Sequence, residues 1–249
     1  MQFEDTYSVS TPSASDMARD QGLKKFLLGI YQKMALGLLV TAAIAYAVAK
    51  TPALLQLLYT TQDGYITGYT IPGMVFAFAP LGLSFISGMF MNDLNAAKSG
   101  MFYWLFVVIM GVSLSSIAIL YAGASIAQMF LITAIAFGGL SLIGYTTKVN
   151  MTGWRTFLYM AVLGMIGVSL LNFFLLKSSM IEVVISAIGV VVFSALIAYQ
   201  TQSLKLMYYE MGGASQNRLA AMTYIGALGL YINFINLFLS LLRLFGNRN

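Results

Sequence analysis

The chain alternates long apolar runs with short charged or small-residue breaks. A helix needs about 20 apolar residues to cross a ~30 Å hydrocarbon core, and the breaks cut this sequence into pieces of that length. The spacing predicts seven spans: Phe26 to Ala49, Ile71 to Met91, Met101 to Tyr121, Ser125 to Thr146, Thr156 to Leu176, Ile181 to Leu204 and Leu219 to Leu242. From Ser99 to Thr147 there are 49 residues without a charge, too many for one crossing, and the small-residue run Ala122 to Ser125 divides them. No period of 20 to 50 residues and no inverted duplication is visible. The pattern therefore predicts an all-α integral membrane protein, with residues 23–249 as one seven-helix transmembrane domain.

Polar positions inside the runs are sparse and ordered. In the last run Gly226, Gly229, Asn233, Asn236, Ser240 and Arg243 follow at spacings of three or four, so a helix puts them on one face. Polar groups in hydrocarbon are costly unless another helix or a wet cavity satisfies them, so this face has to meet protein or water. Span one carries a small-residue ridge, Gly37, Thr41, Ala45 and Ala49, which reads as a close-packing surface. In span three Gly111 and Ser115 share a face and read the same way. Pro80 lies inside span two and is expected to kink it and free a carbonyl near residue 76.

Composition narrows the chemistry. The chain is 59% hydrophobic and 8% charged, and it has neither cysteine nor histidine. Disulfides, thiolate metal sites, Ser-His dyads and histidine-ligated metals are thereby excluded. The eight acidic residues all fall outside the predicted spans or, for Glu182, at an end, so a pair of membrane aspartates for proteolysis is absent too. No enzyme, no resident cofactor and no metal site is expected. The sixteen methionines suit adaptable apolar packing.

The net charge of +5 does not point to nucleic acid, because the basic residues stand singly between apolar runs. They read as topology signals, Lys205 and Arg218 among them. With the N-terminus inside, nine basic residues lie on the inner side (Arg19, Lys24, Lys25, Lys33, Lys98, Lys148, Arg155, Lys205, Arg218) against four outside (Lys50, Lys177, Arg243, Arg248). The positive-inside rule then predicts N-inside and C-outside, with Arg243 snorkelling to the outer interface. Residues 1–22 are polar, mixed in charge and without an apolar stretch, which predicts a disordered cytoplasmic tail rather than a signal peptide. The connection Thr51 to Thr70, with Asp63-Gly64 and several tyrosines, is expected to be a structured interfacial loop.

Particular words in the sequence add a resemblance. The run FINLFLSLLRLFG, Phe234 to Gly246, resembles the last-helix signature of the Bax inhibitor-1 (transmembrane Bax-inhibitor-motif) family. AYQTQSLK from Ala198 to Lys205, MGVSLSSI from Met110 to Ile117 and GLSLIGYTTK from Gly139 to Lys148 support it. The similarity extends from about Lys24 to Gly246 and looks most like bacterial members, in the inner membrane. It implies a seven-helix fold with the last helix central and surrounded by the other six. It also implies, for bacterial relatives, a pH-sensitive calcium leak, and for an enterobacterial relative, modulation of the membrane protease FtsH.

The chain departs from that pattern where the leak is gated. Relatives with the activity usually carry an aspartate after the tyrosine of span six and another after the Tyr-Leu of span seven; this chain has Gln200 and Asn233. Neither amide titrates in the biological range, so a shared-proton switch cannot operate there. Calcium is a hard ion that favours carboxylate oxygens, so a site of amides, hydroxyls and carbonyls is expected to bind it weakly. The basic residue that some relatives place in span two is missing as well. Gln200 and Asn233 are thus the candidate path or gate positions, with Asn236, Ser240 and Arg243 as a supporting polar face. The functional expectation is a calcium or cation leak channel with an altered gate. The alternative is an interaction protein that modulates an FtsH-type protease, for which the N-terminal tail is the candidate contact. Oligomeric state is left open by the sequence.

Overall fold

The computed structural model describes residues 21–62, 65–91, 94–211 and 214–248. Of the tail assigned to residues 1–22, only Gln21 and Gly22 fall inside these limits, and both belong to the first helix. The rest of the tail and the Asp63-Gly64 pair lie outside the described residues.

The helices are α1 (Gln21–Lys50), α2 (Pro52–Leu58), α3 (Ile71–Met91), α4 (Ala96–Ser113), α5 (Ser115–Leu120), α6 (Gly123–Thr146), α7 (Arg155–Leu171), α8 (Ser179–Glu210) and α9 (Gln216–Phe245). Two strands, β1 (Tyr59–Gln62) and β2 (Tyr65–Tyr69), pair antiparallel in the first long connection. Among the described residues seven helical stretches are long and apolar enough to cross a membrane, α4 and α5 together forming the third. Their order and placement match the seven runs read from hydropathy.

Local chemistry sets the ends. Asn95 caps α4, its side chain accepting from the backbone N–H of Ala97 and Lys98. Ser215 caps α9 through Arg218 N–H. Pro72 sits in the first turn of α3, where its missing N–H costs nothing. The helix runs unbroken through Pro80, and the Ser113 hydroxyl of α4 reaches the neighbouring Ala77 carbonyl at 3.5 Å.

Two breaks escaped the hydropathy pattern. Span three is interrupted at Leu114, where Ser115 and Ser116 turn their hydroxyls onto the carbonyls of Val112 and Ser113. Such local bonds compete with the helical ladder. Span five begins with a 3-10 turn, Thr152–Trp154, and ends in a π-helical turn, Asn172–Leu176. Buried Asn172 there holds the reversal into α8: its amide donates to Ser178 O and accepts from Ser178 N–H, while Lys177 takes a left-handed conformation with φ 48°.

The last helix is the centre. Of its most apolar stretch 72% is buried, against 11 to 39% for the other six spans. Its main neighbours are α8, α1, α4 and α6, whereas α3 packs chiefly on α4 and α7 on α8. Four helices therefore supply the main wall around α9 and two stand in an outer layer, which refines the expectation of six direct neighbours. The ridge of span one makes the α1–α4 contact: Gly37 lies under Tyr103, and Gly111 of α4 sits against Ile44 and the Thr41 carbonyl.

The connection Thr51 to Thr70 is the expected structured segment, with α2 and the hairpin tucked over the bundle. Tyr59 is buried and its hydroxyl shares a 2.8 Å hydrogen bond with Ser115. The end of the bundle bearing the hairpin also holds Tyr121, Lys177 and Arg248. It is termed the hairpin end below and its opposite the loop end.

Candidate functional site

Helical spacing puts Gly229, Asn233, Asn236, Ser240 and Arg243 within one arc of α9, and that arc faces α8. At its centre Asn233 Nδ2 donates to Gln200 Oε1 at 2.5 Å. The two residues singled out from sequence thus meet across the α8–α9 interface. Asn233 is 8% exposed, so the bond lies inside the bundle rather than toward lipid. Gly229 makes the room: a Cβ there would overlap the Gln200 amide.

The supporting face behaves differently. Asn236 donates to the Ile232 carbonyl and Ser240 to the Asn236 carbonyl, both within α9. These groups are satisfied by their own helix and do not bond across to α8. Ser240 nevertheless touches α8, because its hydroxyl fills the space that a side chain at Gly189 would need. Arg243 is exposed.

Behind the bridge a second polar contact, not recognised in the sequence, crosses three helices. The buried Tyr231 hydroxyl shares a 2.6 Å bond with Thr41 Oγ1 of α1, and Thr41 lies 3.3 Å from the Val107 carbonyl of α4. Tyr103 of α4 donates to the Lys33 carbonyl at 2.6 Å, and the Lys33 ammonium stands 4.8 Å from the Tyr224 ring centroid. The signal for Tyr231 was available, since a tyrosine two residues from Asn233 needs a partner for its hydroxyl when buried.

Lys205, read from the sequence as a topology signal, also makes a buried contact. It is 7% exposed, its ammonium donates to the Tyr145 carbonyl at 2.8 Å and it lies over the Tyr145 ring. Tyr145 is in the last turn of α6, whose carbonyls have no helical donors, so Lys205 caps that helix from α8. Gln202, one turn earlier, accepts from Met151 N–H and donates to Val149 O, fastening the α6–α7 connection. Replacing Lys205 by methionine should leave the Tyr145 carbonyl without its donor and cost ~1–2 kcal/mol. A drop in thermal midpoint of the detergent-solubilised protein would register it, and an unchanged midpoint would refute the capping role.

Chemically the bridge is a hydrogen bond between two neutral amides. Among the described residues no group of three or more His, Cys, Asp or Glu side chains could hold a metal ion. Gln200 Oε1, the most obvious oxygen ligand at the interface, already accepts from Asn233.

Comparison with known proteins agrees with the resemblance seen in the sequence. Residues 23–249 match the family described as "Inhibitor of apoptosis-promoting Bax1". The chain is 49% identical over 245 residues to an uncharacterized protein of Caulobacter vibrioides, covering 98% of this chain and 97% of that one. It is 40% identical over 227 residues to the inner membrane protein YbhL of Escherichia coli K12, covering 91% and 93% respectively. An uncharacterized protein of Rickettsia prowazekii, RP147, shares 37% identity over 238 residues and 96% of each chain. With seven membrane-length helices among the described residues, the last of them central, and a family match over residues 23–249, the chain belongs to the Bax inhibitor-1 family.

Proposed function

We propose that this protein is a cation-leak scaffold whose path along the α8–α9 interface is closed by a neutral amide bridge. The observation that carries the reading is the Asn233 to Gln200 hydrogen bond, made at the two positions where the family resemblance puts carboxylates. Hydrogen bonds between membrane helices average ~0.6 kcal/mol. The bridge is therefore a weak latch, and its importance lies in what it replaces. With amides, no proton is shared and no charge develops as pH changes, and calcium meets only neutral oxygens. The protein sits as a multi-pass component of the bacterial inner membrane, like the Escherichia coli relative whose name says so, with the loop end and N-terminus inside and the hairpin end outside. No catalytic step is assigned to it, and calcium enters the reading only as a permeant ion.

Calcium entry into dye-loaded proteoliposomes tests the reading, measured about one pH unit either side of neutrality for the parent and the Gln200→Asp/Asn233→Asp variant. The parent should be nearly silent and the variant should leak about tenfold faster or more, with a pH dependence. Equal, pH-independent flux in both would show that the bridge closes nothing. Silence in both would remove the leak and favour the protease-modulating reading.

A further inference from the structure

The amide bridge is one end of a longer polar seam. Toward the hairpin end α9 continues with Asn236 and Ser240, and α8 faces it with Gly189, which lies against Ser240. Glu182 precedes Gly189 by seven residues, two helical turns, and so shares its face. Ser186, 2% exposed, lies one turn from Glu182 and donates to its carbonyl. The polar positions of α9 thus run from Asn233 toward the hairpin end, where Glu182 stands on α8, with buried Phe193, Leu196 and Ile197 of α8 between Gly189 and Gln200.

That end is covered by residues 246–248. α9 stops at Phe245, and Gly246 turns the backbone closely across Leu242 and the Tyr121 ring, where a side chain would collide with both. Asn247 N–H then donates to Ser125 Oγ at 2.9 Å, and Asn247 O accepts from Ala122 N–H at 3.1 Å. Arg248 forms an antiparallel bridge with Tyr121. Its guanidinium lies 5.7 Å from the Tyr121 ring centroid, reaches the tyrosine hydroxyl at 3.4 Å and meets Glu182 at 3.6 Å. Three consecutive residues therefore tie the end of α9 to the start of α6 and the start of α8.

We infer that residues Gly246 to Arg248 are an autoinhibitory strap: they close the hairpin end of the α8–α9 seam, and Arg248 is a tethered cation occupying the carboxylate that an incoming cation would meet first. The Arg248–Glu182 pair is 63% and 52% exposed, and an ion pair so exposed stabilises little by itself. The backbone bonds of Asn247 and the stacking on Tyr121 hold the guanidinium in place. The pair supplies the competition, since a divalent cation at Glu182 has to displace Arg248. This inference rests on the seam being the path proposed above, but the closure itself can be read without any flux.

The chain has no cysteine, so one introduced thiol reports alone. Ser240→Cys and, separately, Ser186→Cys would be reconstituted in nanodiscs, which expose both faces, and reacted with a water-soluble maleimide. Each would be compared in the full chain, in a chain ending at Gly246 and with Arg248→Gln. Ser99→Cys, fully buried near the loop end, serves as the control for general loosening. Labelling at Ser240→Cys and Ser186→Cys should rise about tenfold, ~1.4 kcal/mol of lost closure, on truncation. A smaller rise should follow Arg248→Gln, and calcium should speed labelling of the full chain but not of the truncated one. Labelling equally fast with and without the strap would overturn the inference, as would a parallel rise at Ser99→Cys. Strap-dependent labelling combined with silence in the flux assay would keep the closure and discard the leak reading, so the two failures are distinguishable.

Discussion

Gly144→Val should destabilise the bundle by ~2–3 kcal/mol or more. Gly144 lies in α6 where that helix crosses α8, and a Cβ at this position would overlap the backbone carbonyl of Ala198 and come within 3.0 Å of its Cα. A flexible side chain could rotate aside; a helix backbone cannot. Helices in a bilayer gain little from the hydrophobic effect on meeting each other, so the close approach permitted by small residues is a large part of what holds them. Separating α6 from α8 would also strain the Lys205 to Tyr145 bond and the Gln202 bonds to the next connection, which span the same interface. A thermal midpoint measured by tryptophan fluorescence in detergent would show the loss. The contrasting substitution is Gly164→Val in α7, where a Cβ meets nothing within 4 Å, and it should leave the midpoint unchanged. Equal midpoints for the two variants would refute the argument.

Tyr231→Ala should cost ~3–5 kcal/mol, the range for emptying a buried aromatic site. Tyr231 is fully buried on the central helix, and its ring lies edge-on to Tyr103 and Phe106 of α4. Its hydroxyl is the one that meets Thr41 of α1. The cavity would open at the junction of three helices, two residues from Asn233, where partial collapse cannot refill it. Tyr231→Phe removes only the hydroxyl and should cost about as much as one interhelical hydrogen bond, ~0.6 kcal/mol. Chemical denaturation of both variants would separate packing from bonding. A Phe variant as unstable as the Ala variant would mean that the Thr41 bond, and not the ring, secures the junction.

Much of the fold was legible because a bilayer leaves few alternatives. Backbone groups in hydrocarbon have to be satisfied within a helix, so run length and charge spacing alone place the spans. The polar arc of α9 was legible for the same reason, since Asn233 and Ser240 could not face lipid. The hydroxyl-driven break at Leu114 and the π-helical turn at Asn172 were not, because a hydropathy pattern is blind to side chains that bond their own backbone. The capping role of Lys205 was not legible for a related reason. A basic residue near the end of a span looks the same in sequence whether its ammonium meets water or, as here, the carbonyl of a neighbouring helix.

The sequence by itself determined the seven helices, the polar face of the last one, the missing titratable pair and the absence of cysteine and histidine chemistry. These are properties of composition and periodicity, which act along one helix at a time. Only the tertiary structure decided that Gln200 and Asn233 bond to each other, that Asn236 and Ser240 bond back to their own helix, and that Arg248 reaches Glu182. Each of those outcomes depends on which helix faces which and at what height. That is set by where small residues such as Gly144, Gly189 and Gly229 let backbones and amides approach, a constraint between helices that no single run of residues contains.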